Sequence, residues 1–296
     1  MTDDRPLLEV RDLTVDYEVG GATAWRRRTL TVVKGVSFTI APGETYSLVG
    51  ESGSGKSTTG RAVLRLAEVS GGSVVFDGHD LAGMGAETPL WYRRDVQAVF
   101  QDPAASLNPR HQVGRAVTDA LRRHGVRSRA ERRQRAAEAF EQVGLAAAHL
   151  TRFPAEMSGG QLQRVAIARA LVLRPRLVVC DEAVSALDLS TQGQIVNLLA
   201  DLQASTGVSY LFIAHDLGVV RHISHRIGVL RQGVLVEEGT TQDVFTRPRH
   251  EYTGSLLAAS PASVPDGREE RRALRLARGG GLGRSGSSSP FLPVAG

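Results

Sequence analysis

The run Gly50-Glu51-Ser52-Gly53-Ser54-Gly55-Lys56-Ser57-Thr58 constrains this chain more than any other segment. It fits the pattern G-x-x-x-x-G-K-[ST], and its flanks are the ones that pattern needs. An apolar stretch from Thr45 to Val49 delivers the loop, and a helical pattern from Thr58 to Glu68 leaves it. Glycines let the backbone curl so that successive N–H groups face one phosphate group. The helix that follows adds the positive end of its dipole. Lys56 is then placed for the β- and γ-phosphates of a nucleotide and the Ser57 hydroxyl for Mg²⁺, with Gly50, Ser52, Gly53, Ser54, Gly55 and Thr58 forming the cradle. Of the 36 lysines and arginines only Lys34 and Lys56 are lysine. In so arginine-biased a chain, a lysine here marks a place where a compact ammonium is needed and a planar guanidinium does not serve.

At 296 residues the chain has room for one large domain, with an inserted subdomain and a tail. Hydrophobic residues make up 42%, ample for a core, while aromatics at 5% argue against a stacking platform for single-stranded nucleic acid. No apolar run reaches the ~20 residues of a transmembrane helix. The first residues, Met1-Thr2-Asp3-Asp4-Arg5, do not form a basic region followed by an apolar one, so no secretory signal is read and a cytosolic protein is expected. The lone Cys180, inside Leu177-Val178-Val179-Cys180, reads as a buried thiol. Most of the net charge of +5 falls between Arg268 and Gly296, so no nucleic-acid partner is expected. A second basic cluster, Arg122 to Arg135, reads as a solvated helix face, with anionic lipid or a partner protein as the sharper alternative.

Alternation and β-branched content predict strands at Leu7–Tyr17, Leu30–Ile40, Thr45–Val49, Ser73–Asp77 and Val96–Phe100. A loop is expected from Glu18 to Arg28, and mostly helix from Gln101 to Met157. Further apolar runs at Leu177–Cys180, Val208–Ala214, Ile227–Leu230 and Val234–Glu237 alternate with helical segments. That order implies an α/β fold with a mostly parallel sheet covered on both sides. After about Ser260 the sequence becomes rich in Pro, Gly, Ser and Arg, and residues 261–296 read as a disordered tail behind a nucleotide-binding domain spanning 1–260.

Asp181 and Glu182 close the strand Leu177–Cys180, which puts both carboxylates at the carboxyl edge of the sheet, where open α/β sheets bind ligands. The phosphate loop ends at that same edge. Asp181 is placed to hold Mg²⁺ and Glu182 to polarise an attacking water. The plain alternative is a charged exit from a strand. Farther on, Ser158 can cap a helix running through Leu162, Val165, Ile167 and Leu171, with the N–H groups of Gly159 and Gly160 forming an anion site that has no lysine.

The run Pro154-Ala155-Glu156-Met157-Ser158-Gly159-Gly160-Gln161 resembles the signature motif of ATP-binding-cassette (ABC) ATPases, with Met157 standing for the usual leucine. The resemblance implies a phosphate-loop nucleotidase core, an antiparallel β subdomain and an inserted α-helical signature subdomain over about 101–170. It also implies two cassettes packed head to tail around two ATP molecules, with Ser158, Gly159, Gly160 and Gln161 serving the partner's ATP. Other family positions follow in order. Tyr17 resembles the aromatic that stacks on adenine. Gln101 resembles the glutamine that touches Mg²⁺ and the lytic water and reports to the membrane partner. Asp188, in Ser185-Ala186-Leu187-Asp188, resembles the residue that meets the opposite phosphate loop, and His215 resembles the switch histidine at the γ-phosphate. Ala183 departs from the proline common there. With Lys56, Glu182 and His215 all present, the resemblance implies an active ATPase.

A narrower resemblance reaches to about Ser260. Gln101-Asp102-Pro103-Ala104-Ala105-Ser106-Leu107-Asn108-Pro109-Arg110 and Pro248-Arg249-His250-Glu251-Tyr252-Thr253 are similar to the dipeptide/oligopeptide/nickel importer ATP-binding subunits, especially the second, F-type, subunit. Glu251 replaces a usual proline there, and the cysteine-rich extension of many relatives is missing. This implies a second ABC ATPase subunit (identical or homologous), separate transmembrane permease subunits and, indirectly, a solute-binding protein. It further implies a cytoplasmic position, peripheral on the inner face of the membrane. The rival readings are a soluble ABC subunit of a multienzyme complex, similar to those of carbon–phosphorus bond cleavage, and a DNA-associated cassette.

Overall fold

The computed structural model describes residues 5–20, 27–85 and 87–259. The expected tail, 261–296, lies outside the described residues. In chain order the elements are β1 (Leu8–Gly20), β2 (Arg27–Ile40), β3 (Thr45–Val49), α1 (Lys56–Val63), β4 (Gly71–Phe76), β5 (His79–Asp80), α2 (Leu90–Asp95) and β6 (Val96–Phe100). There follow α3 (Val113–Arg123), α4 (Arg129–Gln142), α5 (Gly159–Leu171), β7 (Leu177–Asp181), α6 (Leu189–Thr206), β8 (Ser209–Ile213), α7 (Leu217–Ile223), β9 (Arg226–Arg231), β10 (Val234–Thr240), α8 (Thr241–Thr246) and α9 (Glu251–Ala259).

Six strands form the main sheet in the order β10-β9-β3-β8-β7-β6. Every pair is parallel except the β9–β10 hairpin at the edge. Strands buried on both faces need no polar alternation, and Thr-Tyr-Ser-Leu-Val of β3 and Ser-Tyr-Leu-Phe-Ile of β8 are buried at every position. Their side chains still sort by face. Val178 and Cys180 of β7 with Tyr210 and Phe212 of β8 enter the core under α3 to α7. Leu177, Val179, Leu211 and Ile213 enter a second core shared with α1 and the antiparallel sheet β2-β1-β4-β5. Burial pushes the Cys180 thiol up to about 12, and the Asp181 carboxylate adds to the shift. Phe38 of β2 stacks on Tyr46 of β3 at 4.7 Å and ties the two sheets together.

Two boundaries depart from the sequence reading. The loop expected over Glu18–Arg28 is shorter, because Glu18 pairs with Thr29, Val19 with Arg28 and Gly20 with Arg27; residues 21–26 lie outside the described residues. A two-stranded ladder satisfies its own backbone groups whatever the polarity of its side chains. The helix expected over Thr58–Glu68 runs instead from Lys56 to Val63. Arg65 takes a left-handed φ of 56°, and the N–H of Leu66 turns back to the Arg61 carbonyl. That is the usual way to close a helix, but here no glycine announces it.

Between β6 and β7 the chain is helical. Arg115 and Arg122 pair with Asp119, and Arg135 pairs with Glu131. Of the seven arginines in the basic cluster only Arg122 and Arg135 are ion-paired among the described residues, and all but the half-buried Arg132 are exposed, so the cluster is a solvated face. Among the described residues no helix is long and apolar enough to cross a membrane.

Candidate functional site

Four parallel strands end level with one another. Leu48 of β3 and Asp181 of β7 both stand opposite Ile213 of β8, and Phe100 of β6 stands opposite Asp181. The phosphate loop leaves β3, Gln101 leaves β6, Glu182 follows β7, and His215 lies just past β8. One edge of the sheet therefore gathers most of the residues predicted to handle the nucleotide.

The loop is held by backbone geometry that few residues can adopt. Gly50 has φ 147°, and a Cβ there would lie 2.1 Å from the Leu230 carbonyl oxygen. Gly53 also has a positive φ, 78°, but open space around it. Gly55 precedes α1 with no side chain capping the helix, so the first-turn N–H groups stay available to an anion. Lys56 is buried and donates to the carbonyls of Gly50 and Glu51, both at 2.8 Å. Burial lowers its pKa, while Glu182, Asp181 and Glu51 favour the charged form and oppose that shift.

The Ser57 hydroxyl donates to Asp181 Oδ1 at 2.7 Å. These are two hard oxygen donors already converged. The described residues contain no group of three or more His, Cys, Asp or Glu able to cage a metal. The two oxygen donors of Ser57 and Asp181 fit Mg²⁺, which takes few protein ligands and completes its shell with phosphate oxygens and water. Next to it, His215 Nδ1 lies 4.0 Å from Glu182 Oε1. Glu182 sits at φ 51°, a strained conformation for a side chain of its kind. Its backbone is pinned on both sides: its N–H donates to the Ile213 carbonyl at 2.9 Å, and its carbonyl accepts the Ser185 hydroxyl at 2.9 Å. The turn after Glu182 thus does without the usual proline, with Ala183 buried beneath it.

The signature segment forms a second, separate group. Ser158 Oγ accepts from the Gln161 N–H, and Gln161 Oε1 accepts from the Ser158 N–H, a reciprocal capping box that starts α5. A Cβ on Gly160 would lie 2.7 Å from Thr191 Cγ2, so the glycine lets α5 start against α6. Asp188 caps α6 through the Thr191 N–H at 3.0 Å and the Thr191 hydroxyl at 2.7 Å. Those two bonds, the hydroxyl first, hold its carboxyl below the ordinary range. Among the described residues no hydrogen bond or ion pair joins Ser158, Gly159, Gly160, Gln161 or Asp188 to residues 50–58. Tyr17 stands exposed on β1 opposite Leu30, and Gln101 is exposed at the sheet edge.

A model of the ABC transporter family matches residues 33–185. The chain belongs to the ABC transporter family. A protein of Escherichia coli strain K12, "Glutathione import ATP-binding protein GsiA", is 48% identical over 275 residues, which is 93% of this chain and 44% of that one. The chain thus spans less than half the length of this curated relative. The ATP-binding cassette MJ0796, solved as a dimer in a post-hydrolysis state bound to ADP and Pi, superposes with a TM-score of 0.68 at 30% identity, covering 79% of this chain and 98% of that one. The cassette cbiO1 of Clostridium perfringens, part of the ABC transporter complex cbiONQ, has a TM-score of 0.69 at 26% identity, covering 82% and 92%. The α/β architecture here is that of an ABC cassette.

Two residues that support the site are not read from the sequence as its supports. Ser185 reads there only as part of an interface loop, yet it holds the Glu182 turn. Tyr252, whose hydroxyl accepts from the Glu51 N–H at 3.0 Å, lies 201 residues away from it in sequence, and no spacing rule reaches that far.

Proposed function

We propose that this chain is the ATP-hydrolysing subunit of an ABC importer, driving peptides or similar small solutes through separate permease subunits. One observation carries the hydrolytic part. Lys56, the Ser57–Asp181 pair and the Glu182–His215 pair converge on one edge, while a second helix start, at Ser158–Gly160, makes no hydrogen bond to the phosphate loop among the described residues. That division suits two cassettes facing each other, each completing the other's ATP site; the similar cassette MJ0796 was solved as a dimer bound to ADP and Pi.

In this reading Tyr17 stacks on the adenine, and residues 50–58 wrap the phosphates. Lys56 leaves the loop carbonyls for the β- and γ-phosphates. Ser57, Asp181 and Gln101 would hold Mg²⁺, which when bound would neutralise charge on the phosphate oxygens. Glu182 orients a water in line with the γ-phosphorus and accepts its proton as the water oxygen bonds to phosphorus; the bond to the ADP oxygen breaks with its electron pair left on ADP, and His215 contacts the γ-phosphate as it leaves. Ser158, Gly159, Gly160 and Gln161 bind the partner's γ-phosphate, and Asp188 meets the partner's loop. Most of the rate comes from position and electrostatics rather than covalent chemistry.

Import of small solutes rests on the likeness to a glutathione import ATP-binding protein. We place the chain in the cytoplasm, peripheral on the inner face of the membrane, with a solute-binding protein acting indirectly. A cleft of about 1010 Å³ lined by Phe100, Gln97, Gln112, Arg115, Asp119 and Arg123 adjoins Gln101, and we assign it to the permease. The test is capture of the Glu182→Gln protein from native membranes with ATP present. Recovery of two permease chains and a second cassette supports the reading; recovery of soluble metabolic enzymes alone refutes it.

A further inference from the structure

We infer that Tyr252 is a positioning residue for the nucleotide site, an inference that rests on the phosphate loop binding ATP as proposed above. The peptide unit between Gly50 and Glu51 is gripped at both ends. Its carbonyl oxygen, on Gly50, accepts from Lys56 Nζ at 2.8 Å, and its N–H, on Glu51, donates to the Tyr252 hydroxyl at 3.0 Å. A trans peptide carries these two groups on opposite sides of one rigid plane, so fixing one fixes the other. When ATP takes Lys56 away, Tyr252 alone continues to hold the plane.

Tyr252 is itself firmly placed. Its ring is buried, with the Arg231 guanidinium 4.9 Å from its centroid. Its own N–H donates to His250 Nδ1 at 3.1 Å. The turn before it is fastened by Glu237 of β10, whose two carboxylate oxygens accept the N–H groups of Arg249 at 2.8 Å and His250 at 3.0 Å. Glu237 is buried; burial alone would raise its pKa, but hydrogen bonding to its carboxylate, with the N–H groups of Arg249 and His250 among the donors, holds it below the ordinary range and keeps it ionised as the anchor. From the same side, the Gly233 N–H at the β9–β10 turn donates to the Ser54 carbonyl at 2.9 Å. Residues 231–252 thus form an outer brace on the loop, and all lie beyond the segment that the family model matches.

A loop held in its binding shape before the ligand arrives costs less to order on binding. Tyr252→Phe keeps the ring, its packing and the Arg231 contact, and removes only the acceptor. The test measures the Kd for ADP with Mg²⁺, steady-state ATP hydrolysis and amide exchange over residues 50–54 in the full chain. The expected result is a Kd raised about fivefold, the effect of one hydrogen bond, a loss that falls on KM more than on kcat, and faster exchange at Glu51. An unchanged Kd with unchanged exchange overturns the inference, as does tighter binding. Equal losses in kcat and affinity together with a lowered thermal midpoint also overturn it, since those would mark a merely structural role. If the wild-type protein itself fails to bind nucleotide, the nucleotide reading falls and this inference with it. When the wild type binds normally, any change in the variant belongs to Tyr252 alone.

Discussion

Replacing Gly50 by alanine sets two costs against each other at a known geometry. The new Cβ would stand 2.1 Å from the Leu230 carbonyl oxygen, a backbone atom in β9 that no rotamer change can move. At φ 147° the residue also occupies a region that side chains rarely adopt. Backbone strain of this kind costs about 1–3 kcal/mol, and forced overpacking adds about 1–3 kcal/mol. A combined loss of about 4 kcal/mol, at roughly 2–4 °C per kcal/mol for a domain of this size, lowers the thermal midpoint by roughly 12 °C. Gly53→Ala is the matched control. Its φ of 78° is also left-handed, but nothing lies within 4 Å of the added carbon. Only the left-handed penalty remains, about 1–2 kcal/mol, or roughly 5 °C. The assay is thermal unfolding followed by circular dichroism without nucleotide, where the two variants should differ by more than twofold in their effect. Equal shifts, or a Gly50 variant as stable as the wild type, would refute the claim that contact with β9 shapes the loop.

Three further outcomes follow from the site. Glu182→Gln should retain ATP binding while single-turnover hydrolysis slows by roughly 10²–10⁴-fold, the usual worth of a general base; ordinary turnover would remove Glu182 from that role. Cys180, buried and pushed up to about 12, should resist thiol reagents near neutral pH in the folded protein and react only at the rate of unfolding, as checked by labelling across a denaturant series. Asp188 has a lowered folded pKa, so the stability it lends is present above the ordinary carboxylate range and lost as pH falls through that lowered value. The gap in thermal midpoint between the wild type and Asp188→Ala should therefore close on acidification, and a gap that stays constant would contradict the Thr191 capping bonds.

What could be read in advance was local. The loop from Gly50 to Thr58 carries its chemistry in nine consecutive residues, and β3 and β6 begin and end where their apolar runs do. The Ser158 cap of α5 is likewise local, although the reciprocal bond from Gln161 is seen only in the structure. The rest depends on contacts between distant segments. The early end of α1 comes from a left-handed arginine rather than from a glycine, and the length of β1 and β2 comes from ladder bonds that tolerate exposed polar residues. The φ of Glu182 is held by Ile213 and Ser185, and the outer face of the phosphate loop by Tyr252 and Gly233. Pairing across such distances leaves no periodic mark in either partner.

The placing of β3 has a consequence for how the protein is made. The strand that carries the phosphate loop is flanked by β8 and β9, so Thr45 waits for Tyr210 and Ser47 for Ile227. During synthesis, at about 5–20 residues per second, the motif emerges many seconds before either neighbour exists. In that interval Tyr46, Leu48 and Val49 have no sheet to enter, and the loop has no frame to hold its curl. Nucleotide cannot rescue a growing chain at this stage, because the frame of the site it would bind comes from β8 and β9, more than 150 residues later. The first part of the ATP site to be translated is among the last to take shape.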